Sequence, residues 1–157
     1  MKRFRILILA AVAAILSSGL DSCTKKELPE QEMEISPTNL AGTWQLAQWN
    51  GAPLPSGAFF YIVLERRDRS FIIYQNIDSM LPRRITGTWN LETDPYLGSV
   101  ISGTYDYGVG NWSNEYVISS LMPSGTVIWA VKGNPKDVTL YTRCDTIPSD
   151  ILEKCAE

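Results

Sequence analysis

The chain has 157 residues, with 14 basic and 17 acidic side chains and no histidine. A net acidic protein lacks the cationic surface that phosphate binding needs, which argues against a nucleic-acid partner. Without histidine, Ser-His-Asp and Cys-His nucleophilic machinery and the usual zinc sites fall away as well.

Lys2, Arg3 and Arg5 precede an unbroken apolar run from Ile6 to Leu16, and Ser17, Ser18 and Gly19 follow it. That order is the basic head, short apolar middle and small-residue exit of a secretory signal. A membrane-spanning helix wants about 20 apolar residues, so the run is too short to be one. Leu20-Asp21-Ser22-Cys23 resembles the lipobox of bacterial lipoproteins, although Asp21 stands where a small uncharged residue is usual. The resemblance implies cleavage before Cys23 and acyl chains on that cysteine. One chain binds a bilayer marginally, whereas several hold nearly permanently. Thr24 follows the cysteine in place of an acidic retention signal. The resemblance therefore implies an outer-membrane anchor, on the periplasmic face or the cell surface.

Residues 24–39 carry four glutamates and two prolines, and read as a flexible tether. The chain thus divides into a signal (1–22), a lipidated cysteine with its tether (23–39), and a single domain (40–157). Within the domain, short runs rich in Val, Ile, Thr, Tyr, Phe and Trp alternate with Gly, Pro, Asn and Asp. Eight strands are predicted, over 43–49, 59–65, 71–76, 84–91, 99–107, 112–119, 126–131 and 138–143. Regular spacing without a long amphipathic helix predicts an all-β, eight-stranded antiparallel up-and-down barrel.

Period-two alternation assigns faces. Ile85, Gly87, Trp89 and Leu91 oppose Arg84, Thr86, Thr88 and Asn90. Trp112, Tyr116 and Ile118 oppose Ser113, Glu115 and Ser119, and Val127, Trp129 and Val131 oppose Thr126 and Ala130. The run 59–64 is apolar on both faces and needs an outer cover. A short helix over 148–154, with Pro early, Asp150 in the first turn and Lys154 late, is the expected cover. With Cys23 committed to lipid, Cys144 and Cys155 remain as a pair in an oxidising compartment, and a disulfide is expected between them.

Gly42-Thr43-Trp44 recurs as Gly87-Thr88-Trp89, and Gly103-Thr104-Tyr105 is a weaker third copy. Glycine permits a close approach within a strand, and the aromatic then closes a barrel end. Together with Arg66-Arg67-Asp68-Arg69-Ser70-Phe71 and Leu140-Tyr141-Thr142-Arg143, the set resembles the lipocalin-like domains of Bacteroides-type lipoproteins. The resemblance implies a barrel that holds one small apolar molecule. It also implies a late arginine, Arg143, lying across Trp44 beside Gly42. Simple parity turns Arg143 outward, so that pairing calls for a bend at the strand end.

No cofactor or metal motif stands out, and no pair of carboxylates is marked for catalysis. Arg66, Arg67 and Arg69 read as a solvated turn. Two functional readings follow, neither of them an enzyme. One is a lipid-anchored binding module for an apolar or amphipathic small molecule, with Trp89, Tyr105, Trp112, Tyr116 and Trp129 as candidate lining. The other is a solid barrel that partners another envelope component through its outer face.

Overall fold

The computed structural model describes residues 29–79, 81–107 and 110–156, so Cys23 and the signal lie outside the described residues. The strands are β1 (Gly42–Trp49), β2 (Ala52–Pro53), β3 (Phe60–Leu64), β4 (Ser70–Gln75) and β5 (Arg83–Asp94). They continue as β6 (Gly98–Tyr105), β7 (Tyr116–Ser119), β8 (Thr126–Val131) and β9 (Asn134–Cys144). Every pairing is antiparallel, and each strand from β3 to β9 pairs with the next. β1 joins β3 on one side and β9 on the other, which closes the sheet. The result is the expected closed eight-stranded barrel, with the two-residue β2 appended to β1. β2 returns through Asn50-Gly51, whose φ values of 51° and 79° suit a tight two-residue hairpin.

The barrel interior is filled from β1, β3, β4, β5, β6, β7, β8 and β9 by Trp44, Ile62, Phe71, Trp89, Ile101, Ile118, Val127 and Tyr141. Burial follows the predicted alternation in β5 and β8, where Gly87, Trp89, Val127 and Trp129 are buried. Strand β9 has the opposite phase from the one parity suggested. Thr139 and Tyr141 are buried, Leu140 is half-buried, and Arg143 shares the Tyr141 face. Arg143 pairs with the inward Trp44 in the β1–β9 ladder, so no bend is needed. The strand expected over 112–119 starts only at Tyr116, because residues 112–115 cross the barrel rim as a loop.

Two further expectations need correction. The segment read as tether through Asn39 is part of the domain from Met33 onward. The Met33 amide donates to the Leu121 carbonyl (2.7 Å), and Met33 and Ile35 pack on the core. Ser36 then caps α1 (Pro37–Leu40), a single turn that buries Leu40 completely. The apolar Met33, Ile35 and Leu40 recover more by covering one barrel end than a solvated tether would.

The second correction concerns Cys144 and Cys155, which are separate thiols. The Cys144 thiol turns to the Thr43 carbonyl at 3.7 Å. Helix α2 (Ser149–Lys154) covers the outside of β3 as expected, and Ile151 and Cys155 pack on Tyr61. That seat brings Cys155 to the Gln75 backbone on β4. Cys144 packs against the same cluster of Tyr61, Ile151 and Cys155, yet both sulfurs are free.

Candidate functional site

The two barrel ends differ. At one end the N-terminal segment crosses beneath Trp44, whose indole N–H donates to the Leu40 carbonyl at 2.8 Å. The Arg143 guanidinium lies 4.2 Å from the Trp44 ring and donates to the carbonyls of Ala41 (2.7 Å) and Asn39 (2.6 Å). Gly42, at φ 131°, leaves the room: a Cβ there would collide with the guanidinium. The second Gly-Thr-Trp builds a parallel device. Trp89 donates to the Glu65 carbonyl (3.1 Å) and carries Arg69 4.6 Å above its ring. Asp68 shapes that hairpin by accepting from the Ser70 amide and hydroxyl, and these bonds hold its carboxyl below the usual range. This end is shut.

The other end is open. A cleft of about 690 Å³ lies between the β4–β5 connection and the end of β6, walled by Phe60, Ile77, Arg83, Ile85, Tyr105 and Tyr107. Arg83 is held there in an ion pair with Asp78. Beneath it lies an inner cavity of about 110 Å³, which shares Phe60, Ile73 and Tyr105 with the cleft. A third recess of about 150 Å³, bordered by Trp49 and Asp137, shares Phe60, Tyr116 and Tyr141 with the inner cavity. Trp49 is fixed at that rim by donating to Asp137 at 2.6 Å.

Aromatic rings form the inner wall. Trp129 stacks with Trp112 (centroids 6.3 Å apart, planes at 28°) and tilts against Tyr141 (4.8 Å) and Tyr116 (5.7 Å). Trp112 also meets Phe71 at 5.1 Å. Its indole lies flat on Gly103, where a Cβ would overlap the ring, and its amide donates to the Gly103 carbonyl. Gly87 makes the corresponding space for Phe71. All three copies of the glycine motif thus admit a neighbour's planar group against bare backbone.

The polar atoms of this wall are neutral donors. The indole nitrogens of Trp112 and Trp129 are buried and have no hydrogen-bond partner among the described residues. Burial pushes the phenols of Tyr105, Tyr116 and Tyr141 upward, furthest for Tyr141. None of the nine residues lining the inner cavity carries a charge.

Of the candidates read from the sequence, Tyr105, Trp112, Tyr116 and Trp129 converge on this cavity. Trp89 does not, because it belongs to the shut end with Gly42, Trp44 and Arg143. Sequence reasoning missed Tyr141, through the inverted phase of β9, and Phe60, whose strand is apolar on both faces. Among the described residues, no three acidic or thiol side chains gather as a metal site. Comparison with models of known families, with curated proteins and with solved structures finds no match to this chain.

Proposed function

We propose that this chain is a lipid-anchored, lipocalin-like envelope protein that holds a small apolar or amphipathic molecule in the open end of its barrel. The observation that carries the reading is the contrast between the two ends. One is sealed by paired arginine–tryptophan caps, and the other opens through a cleft into an aromatic cavity. A barrel used only as a solid spacer has no physical need for that difference. Sites for small molecules are typically concave, mostly apolar and furnished with a few polar groups. The reading is of a non-catalytic binder, anchored to the outer membrane through Cys23.

The solid-barrel interaction module is the second reading, favoured by the small size of the inner cavity alone. Native mass spectrometry of the protein purified from its own host separates the two. A bound small molecule, released on denaturation, is expected. Protein that carries none, and whose barrel takes up no apolar dye, would refute the binding reading in favour of the interaction module.

A further inference from the structure

The inner cavity says more about its occupant than that it is apolar. A buried donor without an acceptor costs about as much as a lost hydrogen bond, and native interiors leave few of them. Among the described residues two occur, on Trp112 and Trp129, whose rings stack and which both line one cavity. Trp129 is 3% exposed, so solvent reaches almost none of it. Its neighbours Tyr105, Tyr116 and Tyr141 add hydroxyl groups that stay protonated in this surrounding.

We infer that the cavity takes the carbonyl end of a neutral, flat ligand, whose oxygen accepts from the indole N–H groups of Trp112 and Trp129. This deepens the binding reading above and rests on it. A carboxylate is the wrong partner, because the lining carries no cation to offset its desolvation. A pure hydrocarbon is also wrong, since it would leave both donors unpaired. A flat shape suits the wall, where the rings of Trp112, Trp129 and Tyr141 pack on one another, 4.8–6.3 Å between centroids, as a continuous aromatic surface on which a planar group can stack. The cavity, at about 110 Å³, suits one end of such a molecule; a comparable engineered cavity of about 150 Å³ takes benzene. The remainder would extend into the cleft toward Arg83 and Tyr107.

Three probes of matched shape test this on the full-length protein: 2-acetylnaphthalene, 2-ethylnaphthalene and 2-naphthoate. Binding is followed by tryptophan fluorescence and by the indole ¹H–¹⁵N cross-peaks, assigned with Trp112→Phe and Trp129→Phe. The ketone should bind about tenfold tighter than the other two, the effect of about one net hydrogen bond. It should also move the Trp112 and Trp129 peaks while leaving those of Trp44 and Trp89 in place. In Trp112→Phe the preference for ketone over hydrocarbon should shrink, with hydrocarbon affinity retained. If that variant does not fold, the cross-peak shifts in the unaltered protein still decide. Equal binding of ketone and hydrocarbon, or tightest binding of the carboxylate, would overturn the carbonyl inference and leave the binding reading standing. Binding of no probe would overturn both.

Discussion

Gly103→Ala tests the packing on which the aromatic wall depends. The indole of Trp112 lies where the new methyl group would be, so ring and methyl cannot both keep their places. Gly103 is held on one side by Trp89 of β5 and on the other by the Trp112 amide, which donates to its carbonyl, so the strand has little room to move aside. The ring must leave instead, since it sits on a rim loop. Its exit gives up partial burial worth about 1.5 kcal/mol and contacts with Phe71 and Trp129 worth about 0.5–1.5 kcal/mol each. Replacing glycine in a strand returns roughly 0.5–1 kcal/mol, for a net loss of about 2 kcal/mol. With a urea m-value of about 1–2 kcal/mol/M, the unfolding midpoint should fall by roughly 1–2 M. Trp112→Ala alone should cost a similar amount, and the double variant no more than Trp112→Ala, a coupling of about 2 kcal/mol. If the two losses simply add, the collision between methyl and indole is not the cause and the reasoning fails.

Four further outcomes are expected. Arg143→Ala should lower stability by about 2 kcal/mol in urea, through two carbonyl bonds and the stack on Trp44; Arg143→Lys should restore less than half, because an ammonium cannot fork between Asn39 and Ala41, and full restoration by lysine would contradict this. Tyr141 keeps its proton in the folded barrel above the ordinary phenol value of 10.0, chiefly through burial; stability is therefore complete below that pH and falls as pH rises above it. Urea midpoints between pH 9 and 12 should decline less steeply in Tyr141→Phe, and an unchanged slope would count against the assignment. Intact mass after alkylation of denatured, unreduced protein should show Cys144 and Cys155 both modified, with Cys155 the slower under native conditions because it is buried; two unreactive thiols would mean the pair is bridged. Cys23→Ser should abolish palmitate labelling and membrane fractionation, and a variant that keeps both would sink the lipid-anchor proposal.

The parts of this fold that were legible are those where one strand face contrasts with the other. In β5, Ile85, Gly87, Trp89 and Leu91 stand against Arg84, Thr86, Thr88 and Asn90, and the barrel obeys that contrast. Strand β9 broke the rule because its inward face is Thr139, Tyr141 and Arg143, while Val138 and Leu140 lie outside. Polar atoms are tolerated inside when each finds a partner. The Thr139 hydroxyl donates to the Trp129 carbonyl, and Arg143 reaches two carbonyls of the N-terminal segment. The plug over 33–40 follows no period, because an extended stretch carrying Met33 and Ile35 runs into the single turn of α1 before Leu40 is buried. Period two places Trp112 inside as part of a strand, whereas the ring reaches the interior from a loop that precedes β7.

The glycine motif links these cases. Gly42, Gly87 and Gly103 share a local pattern, yet each receives a different group: a guanidinium, a phenyl ring and an indole. No local pattern names the visitor, because it arrives from another strand or loop through tertiary packing. The copies at Trp44 and Trp89 end in a ring with its N–H satisfied by a backbone carbonyl and an arginine above it, and both help to shut the barrel. The third ends in Tyr105, and its visitor is Trp112, whose N–H has no partner among the described residues and whose ring lines the inner cavity. Where the motif completes its hydrogen bonds it makes a cap, and where it leaves one unmade it makes a wall with a donor to offer. A single change therefore discriminates closure from recognition. Trp44→Phe should cost stability with ligand preference unchanged, whereas Trp129→Phe should relax the preference for a carbonyl over its hydrocarbon analogue.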